Sequence, residues 1–294
     1  GSSLVYTGDS IAARRHLEQA AVALTSAQGS TRRPDRFGPE PRVLALTALG
    51  DVLFDLGYPD QALQRAHEAM DLVDADSEPF SLAMAMVFVA QIHCARGEAV
   101  KGAESARAVI ALCEERGYPF WQSVGKRVLA WALMLQGQVR EGLELAEQEM
   151  ARFTGPQAEM VHLRALLNIA EGYEMISESE RAVTVLDQWH VVRDKLELPM
   201  LDSFYYRLRG RLFLRSGADD EAEKAFRQAI EAAVARNARS EELRSTLLLA
   251  QVLTKHERRD EARATLAEIY NWFTEGFDTA RLKDAKALLD ELNV

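Results

Sequence analysis

Cysteine, proline and long apolar runs are scarce in this sequence, and each scarcity excludes a class of protein. The chain of 294 residues contains 2 cysteines and 8 prolines. Cys94 and Cys113 provide no disulfide framework and fit a reducing compartment. No apolar run reaches the roughly 20 residues that cross a bilayer. Residues 1–3 (Gly-Ser-Ser) have the composition of a cloning remnant, and no apolar segment of a signal peptide follows them. We therefore expect a cytoplasmic protein without a membrane partner.

Positive charge and catalytic motifs are also lacking. The 45 Asp and Glu exceed the 35 Lys and Arg, and the net charge of −10 argues against a nucleic-acid partner. The 6 histidines lie at unrelated positions, and no HExxH, GxSxG or GxGxxG motif occurs. His93, Cys94 and Cys113 do not have the spacing of zinc ligands, and His93 occupies an apolar column, as a core histidine would. We expect no catalytic residue, no metal and no cofactor in this segment.

The sequence does contain a repeat of 40 residues. Small residues return at this step in three columns, and four prolines (39, 79, 119 and 199) keep the same step. The first column is Gly57, Gly97, Gly137, Ser177, Gly217 and Glu257; the second is Ala62, Gly102, Gly142, Ala182, Ala222 and Ala262; the third is Gly50, Ala90, Ala130, Ala170, Gly210 and Ala250. Three columns in phase indicate a stack of equivalent units, each burying its apolar face against its neighbours.

Each unit is predicted to be a hairpin of two helices, A and B. In residues 199–239 a helical pattern starts at Pro199, Gly217 supplies the left-handed residue that ends helix A, and Asp219 and Asp220 are expected to cap helix B. Small residues are expected where the two backbones cross. The spacing small-x6-Gly-x4-Ala resembles the tetratricopeptide repeat, although a 40-residue step also occurs in HEAT and armadillo units.

The resemblance implies an all-α, right-handed superhelical solenoid of tetratricopeptide-like hairpins. Because the standard unit has 34 residues, the extra residues are predicted between helix B and the next helix A, where they would lengthen the two helices by roughly 9 Å in total. We expect one domain over residues 4–294. It would comprise a partial hairpin (4–27), a loop insertion (28–41), six hairpins (about 42–275) and a capping helix (279–292). The partial hairpin leaves an apolar face uncovered, which indicates that the chain was cut from a longer polypeptide.

Helix A lines the concave groove in tetratricopeptide arrays, which suggests where a partner would bind. The resemblance places seven candidate residues there: Asp51, Gln91, Arg127, Trp131, Glu171, Arg207 and Arg211. Trp131 would be costly to leave in water without a partner. Arg207 and Arg211, four residues apart, would present a cationic strip suited to an acidic peptide or a phosphate. We expect a protein or peptide in this groove.

Three strings carry a closer resemblance: residues 56–62 (Leu-Gly-Tyr-Pro-Asp-Gln-Ala), 116–121 (Arg-Gly-Tyr-Pro-Phe-Trp) and 269–279 (Ile-Tyr-Asn-Trp-Phe-Thr-Glu-Gly-Phe-Asp-Thr). They look like the C-terminal helical region of large bacterial signalling proteins. In those proteins a class III adenylate or guanylate cyclase, or a winged-helix domain, precedes an ATPase module. The resemblance implies a regulatory domain attached to cyclase and ATPase domains, and it lends this segment no catalytic residue.

Two other functions remain open from the sequence. A repeat domain of this type could sense a small-molecule inducer within an ATPase-type transcriptional regulator. It could also serve as a structural oligomerisation scaffold. Ligand-induced stabilisation would distinguish the first of these from protein binding, because a ligand at 100 times its Kd adds about 2.7 kcal/mol.

Overall fold

The computed structural model describes residues 9–26, 39–73, 78–152, 158–196 and 198–293, and all regular structure in these ranges is helical. A short 3-10 helix, Pro199–Leu201, precedes the α-helix that begins at Asp202. The α-helices are α1 (Ser10–Ser26), α2 (Pro41–Asp55), α3 (Pro59–Asp71), α4 (Pro79–Arg96), α5 (Ala99–Arg116), α6 (Pro119–Leu135), α7 (Val139–Arg152), α8 (Ala158–Met175), α9 (Ser179–Leu196), α10 (Asp202–Arg215), α11 (Asp219–Ala235), α12 (Arg239–Lys255), α13 (Arg259–Trp272) and α14 (Ala280–Leu292).

From α2 to α13 the helices pair as six consecutive antiparallel hairpins, with even-numbered helices as A and odd-numbered ones as B. The predicted all-α, right-handed superhelical solenoid with a 40-residue step is confirmed. Residues 1–3, residues 4–8 and 27 of the predicted partial hairpin (4–27), and residues 28–38 of the predicted loop insertion lie outside the described residues. Residues 39 and 40 precede α2.

The first repeat column forms the turn inside each hairpin. All six of its members have a positive φ, including the non-glycine residues Ser177 (65°) and Glu257 (61°). In each turn the N–H of the following residue donates to the carbonyl five positions earlier, as Glu98 does to His93 at 2.8 Å. This pattern satisfies carbonyl groups that the end of helix A leaves free.

The small residues of the other two columns lie where helices A and B cross. A Cβ added at Gly142 would lie 2.6 Å from the carbonyl oxygen of Ala130, so the backbones of α6 and α7 touch at this point. In the fifth hairpin the space beside Gly210 is filled by the ring of Phe226, which is fully buried. The crossing predicted from the sequence therefore has a steric basis in both hairpins.

One local prediction needs correction. Asp219 does not cap α11, because its carboxylate binds Lys255 and His256 of the next hairpin instead. α2 begins at Pro41, one residue before the predicted start of the first full hairpin, and the carboxylate of Glu40 caps it by accepting from the N–H of Val43 at 2.9 Å. Extra residues lengthen the helices, as expected, where only two residues separate α5 from α6.

The core consists of apolar clusters between successive hairpins rather than one central mass. Trp189, which is 1% exposed, stacks on Tyr205 with ring centroids 4.8 Å apart and joins the fourth hairpin to the fifth. Among the described residues α4 is long and apolar enough to cross a membrane, and it packs against α2, α3, α5 and α6. Nδ1 of buried His93 donates to the Glu98 carboxylate at 2.6 Å, consistent with a core histidine.

The superhelix closes on itself at a seam. Its N-terminal side comprises residues 54–61 and 96–97, and its C-terminal side comprises residues 239–240 and 272–280. A Cβ at Gly57 would lie 2.6 Å from the ring of Trp272, and one at Gly97 would lie 2.6 Å from the Cβ of Ala280. The equivalent turn glycines of the third and fifth hairpins have nothing within 4 Å of that position. The first two hairpins therefore rest on the last units of the solenoid.

A carboxylate from the C-terminal side caps a helix on the N-terminal side. Glu275 Oε1 accepts from the N–H groups of Asp60 and Gln61 at 2.8 and 3.0 Å, at the first turn of α3. Gly276 N donates to Asp60 Oδ2 at 2.9 Å. Negative charge at a helix N-terminus satisfies free N–H groups and opposes the helix dipole. The end of one helix is thus capped by a residue more than 200 positions away.

An ion pair and a side-chain bond complete the seam. Arg96, which is 4% exposed, donates to Asp60 at 2.6 Å and to both oxygens of Asp278 at 3.0 and 3.1 Å. Ser240 Oγ donates to the carbonyl of Phe54 at 2.5 Å. Two of the strings that carry the family resemblance, 56–62 and 269–279, therefore contact each other. The residues of these two strings supply side chains and turn glycines that make this contact.

Candidate functional site

The seven candidate residues lie on five of the A helices. The structure places Asp51 on α2, Gln91 on α4, Arg127 and Trp131 on α6, Glu171 on α8, and Arg207 and Arg211 on α10. Glu171 and Arg207 are buried, at 8% and 2% exposure, and the other five are partly exposed. The structure brings Glu171, Arg207 and Arg211 into contact.

Glu171 accepts from two arginines of the following A helix. Its Oε1 lies 3.4 Å from Arg207 Nη1 and 3.1 Å from Arg211 Nη1. Arg211 also pairs with Glu174, which accepts from Arg215 at 2.5 Å. Arg207 and Arg211 are therefore not the free cationic strip expected from the sequence, because carboxylates one hairpin earlier partly neutralise them.

Further charged residues lie on α12 and α14, and they were not among the residues predicted from the sequence. Arg244 Nη1 donates to Glu241 Oε1 at 2.8 Å, and Glu241 Oε2 lies 3.4 Å from Arg207 Nε. Arg281 on α14 is partly exposed and lies 3.6 Å from Asp284. We call Arg207, Arg211, Arg244 and Arg281 the arginine cluster. Glu241 and Arg281 are 40 residues apart, so the repeat step could have related these two positions from the sequence.

The pKa values of these groups reflect their common surroundings. Burial alone would raise the pKa of Glu241, but Arg244 and Arg207 hold it at about 2. Burial, together with the positive charge of Arg244, lowers the pKa of Arg207 to about 10. The pKa of Arg281 is lowered chiefly by repulsion from Arg244, then by burial. The surroundings thus stabilise the charged form of Glu241, whereas they destabilise the charged forms of Arg207 and Arg281.

Two carboxyl groups lie one helical turn apart at the C-terminal end of α2. We call Asp51 and Asp55 the aspartate pair. Burial raises the pKa of Asp51 to about 7, against the opposing effect of Arg164, and burial also raises the pKa of Asp55. Neither aspartate makes a hydrogen bond or an ion pair among the described residues. The positive charge of Arg164 on α8, more than 100 positions away in sequence, lowers the pKa of both aspartates.

Trp131, Arg127 and Gln91 lie apart from these charged groups. Trp131 is partly exposed and packs against the apolar clusters on both sides of α6, so it is not the free aromatic surface expected from the sequence. Burial lowers the pKa of Arg127, and the charge of Glu149 opposes this effect. Gln91 is half-buried on α4. No group of three or more metal-ligating side chains occurs among the described residues.

No protein-family model and no curated protein sequence matches the chain. Solved structures match it in fold. The Rap conjugation gene regulator of plasmid pLS20, in complex with the Phr* peptide, is 12% identical with a TM-score of 0.66, over 90% of this chain and 70% of that one. NprR in complex with its cognate peptide NprX is 15% identical with a TM-score of 0.61, over 97% and 82%.

A third similar structure belongs to a multidomain protein. It is a signal transduction ATPase with a tetratricopeptide repeat sensor from Pyrococcus horikoshii, 11% identical with a TM-score of 0.54. The match covers 100% of this chain and 44% of that one. These likenesses establish a tetratricopeptide-like repeat fold for this chain.

Proposed function

We propose that this chain is a non-catalytic regulatory domain that binds a protein segment or peptide in the interior of its closed superhelix. The observation that carries the proposal is a set of charged groups facing the interior without sufficient internal partners. Buried charges that lack partners cost stability, and such groups concentrate at functional sites. The similar Rap and NprR structures, which hold peptides, support a peptide as the ligand.

A pooled library of linear peptides tests this function directly. Tagged protein is incubated with random octapeptides, and the retained peptides are quantified by mass spectrometry. Gln91→Trp would narrow the interior and should reduce retention, whereas Gln188→Trp on the exposed face of α9 is the matched control. Retention of no peptide by the unmodified protein contradicts the proposal. Thermal stabilisation by small metabolites instead would favour the inducer-sensing alternative.

We also propose that the domain controls an attached enzyme within a cytoplasmic bacterial signalling protein. The string at residues 269–279 supports a cyclase parent through its resemblance, and the Pyrococcus horikoshii protein supports an ATPase module. Reading the gene upstream of this segment tests the proposal. A cyclase or P-loop ATPase domain in the same reading frame is expected, and a gene that encodes neither would refute it.

A further inference from the structure

We propose that the interior ligand is a dipolar peptide, with a carboxylate bound by the arginine cluster and a cationic group bound by the aspartate pair. This inference rests on the proposed function and specifies its ligand. The cationic group is an ammonium or guanidinium, and the charges belong to one chain segment that spans the two sites. Four observations support the assignment.

The aspartate pair lacks the partners that neighbouring carboxylates have. Asp51 and Asp55 form no hydrogen bond or ion pair among the described residues, although both are partly buried. Arg164 lowers the pKa of both aspartates and of Glu241, so one cation is shared among three carboxylates. Arg236 acts on Asp55 in the same direction. A ligand cation between the two aspartates would supply the missing charge.

The arginine cluster contains donors that lack acceptors. Among the described residues its four guanidinium groups pair with Glu171, Glu241, Glu174 and Asp284, and Glu174 also pairs with Arg215. The side chain of Arg207 is 3% exposed, yet its Nε and Nη2 atoms have no hydrogen-bond partner. Guanidinium groups bind carboxylates through two parallel hydrogen bonds. An incoming carboxylate would satisfy donors that the protein leaves open.

Two arginines outside these sites, Arg193 and Arg258, are paired more completely. Arg193 forms a two-pronged pair with Asp202 at 2.9 and 2.5 Å. Arg258 donates to Glu261 at 2.6 Å and to Glu223 at 2.7 Å on the outer surface. These contacts lie away from the aspartate pair and the arginine cluster. The aspartate pair and Arg207 are therefore less completely paired than these two arginines.

The seam brings the two sites to one region of the interior. The contact between Phe54 and Ser240 joins the C-terminal end of α2 to the N-terminal end of α12. Asp55 follows Phe54, and Glu241 follows Ser240. The negative charge of Glu241 raises the pKa of Asp55, as expected for groups that share a space. A short extended segment can reach both sites because the superhelix is closed.

Four end-capped octapeptide libraries, made otherwise of uncharged residues, test the inference. The first contains one Lys and one Asp at all spacings, the second Lys alone, the third Asp alone, and the fourth no charged residue. Retention is measured for the unmodified protein, Asp51→Asn and Arg281→Gln. The matched controls are Glu231→Gln and Arg107→Gln, which lie exposed on the B helices α11 and α5.

The library with both charges should be retained about tenfold more than either single-charge library, as expected for one added charge-assisted hydrogen bond. Asp51→Asn should remove the advantage of Lys, and Arg281→Gln the advantage of Asp, while the controls behave as the unmodified protein. Equal retention of charged and neutral libraries would overturn the dipolar ligand and leave peptide binding intact. Retention of none would refute the proposed function itself. The melting temperature of each variant excludes unfolding as the cause.

Discussion

Replacing Gly57 with serine should disturb the seam, whereas the same change at Gly137 should not. Both glycines occupy the turn of a hairpin with a positive φ, 90° and 85° respectively. Serine is tolerated at this column, since Ser177 adopts a φ of 65°. The left-handed conformation costs an L-residue about 1–2 kcal/mol at either position. The difference between the variants therefore isolates the surroundings of the added side chain.

Those surroundings differ sharply. A Cβ at Gly57 would lie 2.6 Å from Trp272 and 2.9 Å from the Cβ of Arg239, whereas nothing lies within 4 Å at Gly137. Inserting atoms into a packed contact costs typically about 1–3 kcal/mol. If the seam stays closed, Gly57→Ser should melt roughly 3–10 °C below Gly137→Ser. If the seam of Gly57→Ser opens instead, the chain becomes less compact and its radius of gyration should exceed that of Gly137→Ser.

Differential scanning fluorimetry and small-angle X-ray scattering measure these two outcomes. Adding Trp272→Ala should reduce the excess effect of Gly57→Ser and leave that of Gly137→Ser unchanged, because only the former contacts the indole. Equal melting temperatures and equal radii of gyration for the two serine variants would refute the closed superhelix. They would also remove the geometric basis for a shared interior site.

Three further predictions concern stability. Burial raises the pKa of Asp51 to about 7, so its ionisation destabilises the folded chain as pH rises from about 4 to 7. Asp51→Asn should leave stability unchanged near pH 4 and raise it by about 1–2 kcal/mol at pH 8, after allowance for solvent in the interior, and parallel urea unfolding curves check this. Ala222→Leu should cost about 1–3 kcal/mol by overpacking, whereas Lys224→Leu on the exposed side of α11 should cost less than 0.5 kcal/mol, and equal values would contradict the crossing assigned to α10 and α11. Glu275→Ala should cost about 0.5–2 kcal/mol by removing the cap of α3, with faster hydrogen exchange at the Gln61 amide as the specific sign.

The solenoid could be predicted because the residues that form each hairpin are close together in sequence. The positive φ at Gly97 and the missing bulk at Gly142 are requirements of two adjacent helices, so they recur wherever a hairpin recurs. The same logic placed the seven candidate residues on the A helices. The predicted cap of α11 was wrong because the sequence does not show which of two neighbouring groups a side chain binds. Asp219 binds His256 of the next hairpin rather than the N–H groups of its own helix.

Closure at the seam and the state of each interior charge were decided only in three dimensions. The rotation between successive hairpins is small, and whether the ends meet depends on its sum over all units, which no single unit encodes. Glu275 therefore gave no sign that it caps a helix more than 200 positions earlier. The burial of Arg207 and the lack of a partner for Asp51 likewise follow from the closed interior, where charges distant in sequence share one poorly solvated space.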